Sequence, residues 1–229
     1  MQLVSKTIKF PSCLLSDCDG VIVDSEKIAD AIMLEVFQEA FKSDALEVHM
    51  ADMFGRRVVD IILLLESRLN VTLSPEKRLS MHMNIDERVG REALGMPHVK
   101  EIYESLGIPV AIVSNSAPQR LHLCVQRAGL AALVGPNMFS GDEVDLAKPA
   151  PDVYLQAARV MGFAPEKCLV IEDSVTGVTA AKAAGMVVLG FLGGGHIRAD
   201  HAAMLTQAGA RALFVHMADL PGVIEGLNS

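Results

Sequence analysis

The chain has 229 residues, 51% of them apolar, enough to exclude large-scale disorder and to build one large domain with or without a modest insertion. Lys and Arg number 20 against 28 Asp and Glu, a net charge of −8 with no basic run longer than two residues, which disfavours nucleic acids and anionic membranes as partners. An anionic substrate would need local positive charge or a bound cation to overcome that field.

The first ten residues, Met1 to Phe10, lack the continuous apolar core of a secretory signal, and no later run approaches a membrane span. A soluble, cytoplasmic protein is expected. The apolar run Cys13-Leu14-Leu15-Ser16 then stops at Asp17-Cys18-Asp19-Gly20. Along a strand, residues i and i+2 point the same way, so Asp17 and Asp19 can converge while Cys18 faces the opposite side, and Gly20 lets the backbone turn away. Such a pair suits a nucleophile beside a proton shuttle, although an isolated Asp-x-Asp is more often a solvated turn. Cys13, Cys18, Cys124 and Cys168 have no metal-like CxxC spacing and are expected as reduced, buried thiols.

Helical spacing dominates the next eighty residues. Ile28, Ile32, Val36, Phe37 and Ala40 mark an amphipathic helix over residues 25–41, and Val58, Ile61, Ile62, Leu65 and Leu69 mark a second. Between them the loop Met53-Phe54-Gly55-Arg56-Arg57 offers a turn and two cations. A third helix starts at Ser74-Pro75-Glu76, where Ser caps, Pro suits the first turn and Glu meets the positive end of the dipole; it runs to about Leu94.

From Pro97 onward strands alternate with helices. Residues 110–114, 138–140, 168–172, 187–191 and 212–215 read as short buried strands, and the helices end in Gly107-Ile108, Gly129-Leu130, Gly162-Phe163, Gly185-Met186 and Gly209-Ala210, the left-handed glycine stop with its apolar anchor. Parallel strands require such long crossovers. The fold class is therefore α/β: a Rossmann-like, three-layer core with a mainly parallel sheet, comprising residues 1–22 and 95–229, with a helical cap of residues 23–94 inserted after the first strand.

Ligands of such sheets sit at the carboxyl ends of the strands. There the chain places Asp17 and Asp19, then Ser114-Asn115-Ser116, then Glu172-Asp173-Ser174, with Lys148-Pro149-Ala150-Pro151-Asp152 opening a helix in between. Converging acids call for a cation, and Mg²⁺ is the simplest, held by Asp17 and Asp173 with Glu172 as a further candidate. Ser114 can donate to a phosphoryl oxygen, and Lys148 can neutralise charge on the transferring group. Each segment also has an ordinary reading as a cap or a turn. Their order and shared position at strand ends make a site.

As an ordered set, these four segments resemble the haloacid dehalogenase-like superfamily, in its branch of sugar phosphatases and β-phosphoglucomutase-like enzymes with a small helical cap. The resemblance implies Asp17 as phosphoryl-accepting nucleophile and Asp19 as acid/base that also offers its carbonyl to Mg²⁺. It further implies Ser114 and Lys148 as phosphate stabilisers, Asn115 holding the phosphate through its backbone, and Asp173 with Glu172 at the metal. Arg56 and Arg57 would lie in the cap loop that reaches the substrate, the alternative being that both face solvent. Val21 stands where many relatives carry Thr; some phosphatases and mutases share Val, so it does not choose between them. Dehalogenation is disfavoured, because it needs an aspartate but no metal cluster. The expected activity is Mg²⁺-dependent hydrolysis of a small phosphorylated metabolite, a sugar phosphate, with a β-phosphoglucomutase-like phosphomutase as the alternative. Gly193-Gly194-Gly195-His196 reads as a mobile loop, with His196 at a helix start rather than a ligand.

Overall fold

A computed structural model describes residues 10–43, 46–50 and 58–228. Arg56 and Arg57, with the rest of the loop 51–57, lie outside the described residues.

Six parallel strands form one sheet. They are β1 (Cys13–Ser16), β4 (Val110–Ser114), β5 (Met138–Ser140), β6 (Cys168–Glu172), β7 (Val187–Phe191) and β8 (Ala212–Phe214), in the order β5-β4-β1-β6-β7-β8. Strand β1 is central, with Leu14 level with Val110 of β4 and Leu169 of β6. The chain fills one flank with β4 and β5, then crosses over to fill the other from β6. Their carboxyl ends therefore open at the switch in strand order, where α/β sheets bind ligands.

The strands are apolar except where Ser16, Ser114, Ser140 and Glu172 end them at the carboxyl edge, because both faces are covered. Leu14, Ile112, Leu169 and Ile171 belong to one buried cluster, while Cys13, Leu15, Val113 and Val170 belong to the other, the period-two alternation of a pleated strand. The first face packs on α5 (Val99–Ser105), α6 (Pro118–Arg127), α7 (Ala131–Val134) and α11 (Leu220–Gly226). The second packs on α8 (Asp152–Met161), α9 (Val175–Ala183) and α10 (His201–Ala208). Left-handed glycines stand at all five expected helix ends, from Gly107 at φ 62° to Gly209 at φ 118°.

Four helices form a separate layer: α1 (Glu26–Phe41), α2 (Leu46–Met50), α3 (Val58–Leu69) and α4 (Pro75–Glu92). Ile32, Val36 and Phe37 of α1 bury with Ile61, Ile62 and Leu65 of α3 and with Met81, Ile85 and Val89 of α4 in a third apolar cluster. The α4 start is as expected, with Ser74 Oγ accepting from Lys77 N at 3.2 Å and Pro75 opening the helix. A two-stranded ribbon, β2 (Val23–Asp24) against β3 (Leu94–Gly95), lies where the chain leaves the sheet layer and where it returns. Two-residue strands carry too little periodicity to be read in advance.

Candidate active site

The cleft at the carboxyl edge of the sheet has a volume of about 1120 Å³ and includes Asp17, Asp19, Ser114, Lys148 and Asp173 in its lining. Its opposite wall comes from the helical layer, through Asp30, Val58, Val59, His82 and Asp86.

Lys148 is the hub. Its Nζ donates to Asp17 Oδ1 at 2.6 Å, to Glu172 Oε1 at 2.7 Å and to the Val113 carbonyl at 2.8 Å. Burial opposes the ammonium charge, but Asp17 and Glu172 outweigh it and hold the lysine above its ordinary pKa. The backbone of Lys148 is fixed in turn by Asn115, whose Oδ1 accepts from Lys148 N and whose Nδ2 donates to Lys148 O, both at 3.0 Å. The side chain of Asn115 thus builds the lysine loop.

Asp17, Glu172 and Asp173 are buried, and each offers a carboxylate oxygen within 4.8 Å of the others. Burial first, then the charge of Glu172, drives Asp17 well above the usual carboxylate range despite Lys148. Asp173 is raised by burial, with His196 opposing the shift. Glu172 is already saturated: Oε1 accepts from Lys148 and from Tyr154 Oη at 2.7 Å, and Oε2 from Ser174 N at 3.3 Å and Ser174 Oγ at 2.9 Å. Crowded acids with a single buried ammonium between them fit a divalent cation, and the oxygens of Asp17 and Asp173 are better placed to face it than those of Glu172. The backbone leaves room for this. A Cβ on Gly20, at φ +79°, would fall 1.7 Å from Asp173 Oδ2, and one on Gly177 would fall 1.7 Å from Glu172 Oε1.

Asp19 occupies a different environment. Its Oδ1 accepts from Arg120 Nη2 at 2.5 Å and Ser25 Oγ at 2.6 Å, and its Oδ2 from Ser116 Oγ at 2.6 Å. Burial alone would raise its pKa; Arg120, Ser116 and Ser25 together outweigh that, and the net shift is downward. Ser114 Oγ accepts from Ser116 N at 3.0 Å and is buried at the end of β4.

The sheet edge brings Asp17, Asp19, Ser114, Asn115, Lys148, Glu172 and Asp173 together, as expected from their positions after strands. Two residues were not foreseen in this role. Arg120, in the first turn of α6, has a signal: a cation at the positive end of a helix dipole is misplaced unless an acid faces it. His196 corrects the expectation of a helix start, because α10 begins only at His201 and the His196 ring reaches Asp173 Oδ2 at 3.2 Å. Its loop lies against the site: Gly195 N donates to Asp24 Oδ1 at 3.1 Å, and a Cβ on Gly194 would approach the Gly20 carbonyl to 3.2 Å.

Residues 11–185 match the family model for haloacid dehalogenase-like hydrolases. A "CBBY-like protein" of Arabidopsis thaliana is 31% identical over 213 residues, covering 81% of this chain and 64% of its own length. The "6-phosphogluconate phosphatase" of Escherichia coli K12 is 25% identical over 207 residues, with 90% of each chain covered. A crystal structure of a "HAD family hydrolase" from Deinococcus radiodurans R1 "with bound phosphate and sodium" is 32% identical, with a TM-score of 0.74 over 94% of this chain and 96% of that one. The chain spans less than two thirds of the Arabidopsis CBBY-like protein and half or less of two other curated relatives. The chain belongs to the haloacid dehalogenase-like hydrolase family, a family of enzymes in which named phosphatases are among its relatives. No described helix is long and apolar enough to cross a membrane.

Proposed function

We propose that this chain is a Mg²⁺-dependent phosphatase that hydrolyses a small phosphorylated metabolite, a sugar phosphate, through an aspartyl phosphate on Asp17. The observation that carries the reading is the contact of Asp17 with Lys148 at 2.6 Å, beside Glu172 and Asp173, at the mouth of a cleft with room for a phosphorylated sugar. Similarity over nearly the whole chain to a 6-phosphogluconate phosphatase supports the substrate class.

Asp17 and Asp173, with the backbone carbonyl of Asp19, would hold the Mg²⁺. When bound, the ion neutralises the carboxylates and polarises the phosphoryl group. Lys148 holds the Asp17 carboxylate in place and opposes the rise of its pKa, and Glu172 serves as counter-ion to Lys148. Ser114 Oγ and the backbone of Asn115 bind the phosphoryl oxygens. Attack by an Asp17 oxygen forms the acyl phosphate as the bond from phosphorus to the leaving oxygen breaks, and that oxygen takes its proton from Asp19, which must take one up from solvent as substrate binds because Arg120 favours its ionised form beforehand. Water then attacks phosphorus, Asp19 accepts the water proton, and inorganic phosphate leaves with Asp17 restored.

Residues 1–22 and 95–229 would act as the catalytic core, with residues 23–94 closing over the substrate as a cap. Arg56 and Arg57 would bind the end of the substrate far from the transferring phosphoryl group. Their alanine variants are expected to raise KM for a sugar phosphate and to leave p-nitrophenyl phosphate unchanged.

A phosphate-release screen over phosphorylated sugars, sugar acids and nucleotides with added Mg²⁺ tests the reading. In ¹⁸O-labelled water the label should enter the released phosphate. Isomerised sugar phosphate that requires a bisphosphate primer, with negligible free phosphate, would identify a phosphomutase instead.

A further inference from the structure

Asp19 is held from both layers of the molecule. Ser116 follows β4 in the sheet layer and Ser25 immediately precedes α1 of the helical layer, each donating at 2.6 Å. The third donor, Arg120, reaches it from the first turn of α6, and the same guanidinium turns its Nη1 to Asp86 Oδ1 on α4 at 3.3 Å. Asp86 Oδ2 is met in turn by His82 Nε2 at 3.3 Å, one turn earlier on α4. Helix α4 approaches α6 so closely here that a Cβ on Gly90 would lie 2.9 Å from Leu123 Cβ. Polar contacts thus run from the helical layer, through one arginine, to the carboxylate proposed to move the proton. Arg120 is largely buried yet contributes to the cleft lining, so its guanidinium has the geometry to set where that carboxylate sits.

We infer that Arg120 is the positioning residue for Asp19: braced by Asp86, it fixes the carboxylate so that proton delivery to the leaving oxygen depends on α4 being docked against α6. The inference rests on the phosphatase reading above. An Arg is suited to the task because its rigid fork can engage two acids at once, whereas a lysine ammonium on a flexible stem would satisfy Asp19 without bridging to Asp86. Arg120 does not itself exchange a proton. It acts through Asp19.

The test is a series of esters differing in leaving-group basicity, p-nitrophenyl, phenyl and benzyl phosphate, assayed with Mg²⁺ as kcat/KM, which reports the first phosphoryl transfer. An activated leaving group needs no proton; a poor one does. Arg120→Met should lower benzyl phosphate by about 10²-fold, the size of loss that a misplaced catalytic group brings, and p-nitrophenyl phosphate by much less. Arg120→Lys should recover part of that loss. Asp86→Asn, which removes only the brace, should give the same trend in weaker form and guards against an Arg120 variant that fails to fold. In an Asp19→Asn background the Arg120 substitution should steepen the leaving-group dependence no further. Equal losses on all three esters, or additivity with Asp19→Asn, would overturn the inference. Wild-type protein inactive on every ester would instead strike the phosphatase reading itself.

Discussion

Gly20 sits at the point where the first loop of the site passes under Asp173, and its φ of +79° combines with a Cβ position 1.7 Å from the Asp173 carboxylate. Replacing Gly20 by Ala adds left-handed strain of about 1 kcal/mol and also displaces a proposed metal ligand. We expect Gly20→Ala to fold with a lowered melting temperature and to need far more Mg²⁺ for half-maximal activity; an unchanged Mg²⁺ requirement would disprove the role of Asp173. Asp17 behaves differently. Burial beside Glu172 raises its pKa above the unfolded value, so above that unfolded value the ionised carboxylate opposes folding. Asp17→Asn should therefore melt no lower than the wild type in metal-free buffer while its turnover falls to background, as calorimetry and a phosphate-release assay would show. A markedly destabilised variant would mean that the Lys148 contact outweighs the crowding.

At the scale of elements, the helical layer is anchored by a buried acid. Glu66 on α3 accepts from Leu73 N at 2.5 Å and from Arg78 Nη2 at 3.0 Å, which fixes the turn between α3 and α4. Removing it leaves a half-buried guanidinium and a backbone donor without that partner, a loss of about 1–3 kcal/mol. Glu66→Ala should lower the urea midpoint accordingly. Because α4 carries His82 and Asp86 into the cleft wall, loosening its turn should disturb discrimination among sugar phosphates more than turnover of p-nitrophenyl phosphate. Identical effects on both would place the fault in the sheet layer.

For the whole molecule, the proposed Mg²⁺ is the variable to test. Three buried carboxylates crowd together while Lys148 pairs with only two of them, Asp17 and Glu172, an arrangement whose repulsion is present only in the folded chain. Mg²⁺ binding the folded state alone should raise the melting temperature, by about 2.7 kcal/mol of added stability at a hundredfold excess over Kd. Chelation should abolish turnover and Mg²⁺ restore it. Activity persisting in thoroughly demetallated protein would eliminate the mechanism, and the absence of any Mg²⁺-dependent shift in melting would remove the ligand assignment.

Much of this was legible before any coordinates. Six strands, their glycine-stopped helices and the acids, serine and lysine that follow them are encoded locally, because side-chain period and left-handed glycines depend on near neighbours in the chain. Once those strands are known to be parallel, their carboxyl ends must share one edge, which is why Asp17, Ser114, Lys148 and Asp173 could be grouped from the sequence. Asp86 and His196 could not, and the misplaced helix-start charge of Arg120 signals an acid without saying which one. Asp19 and Arg120 lie 101 positions apart, and only the seating of α4 on α6 brings Asp86 to the other side of the same guanidinium. His196 reaches Asp173 from a loop in which Gly194 lies against the Gly20 carbonyl, and a glycine run specifies permission rather than direction. The chemical groups of the site were written in the sequence, whereas the contacts that orient them arise from packing between distant elements, for which no local pattern exists.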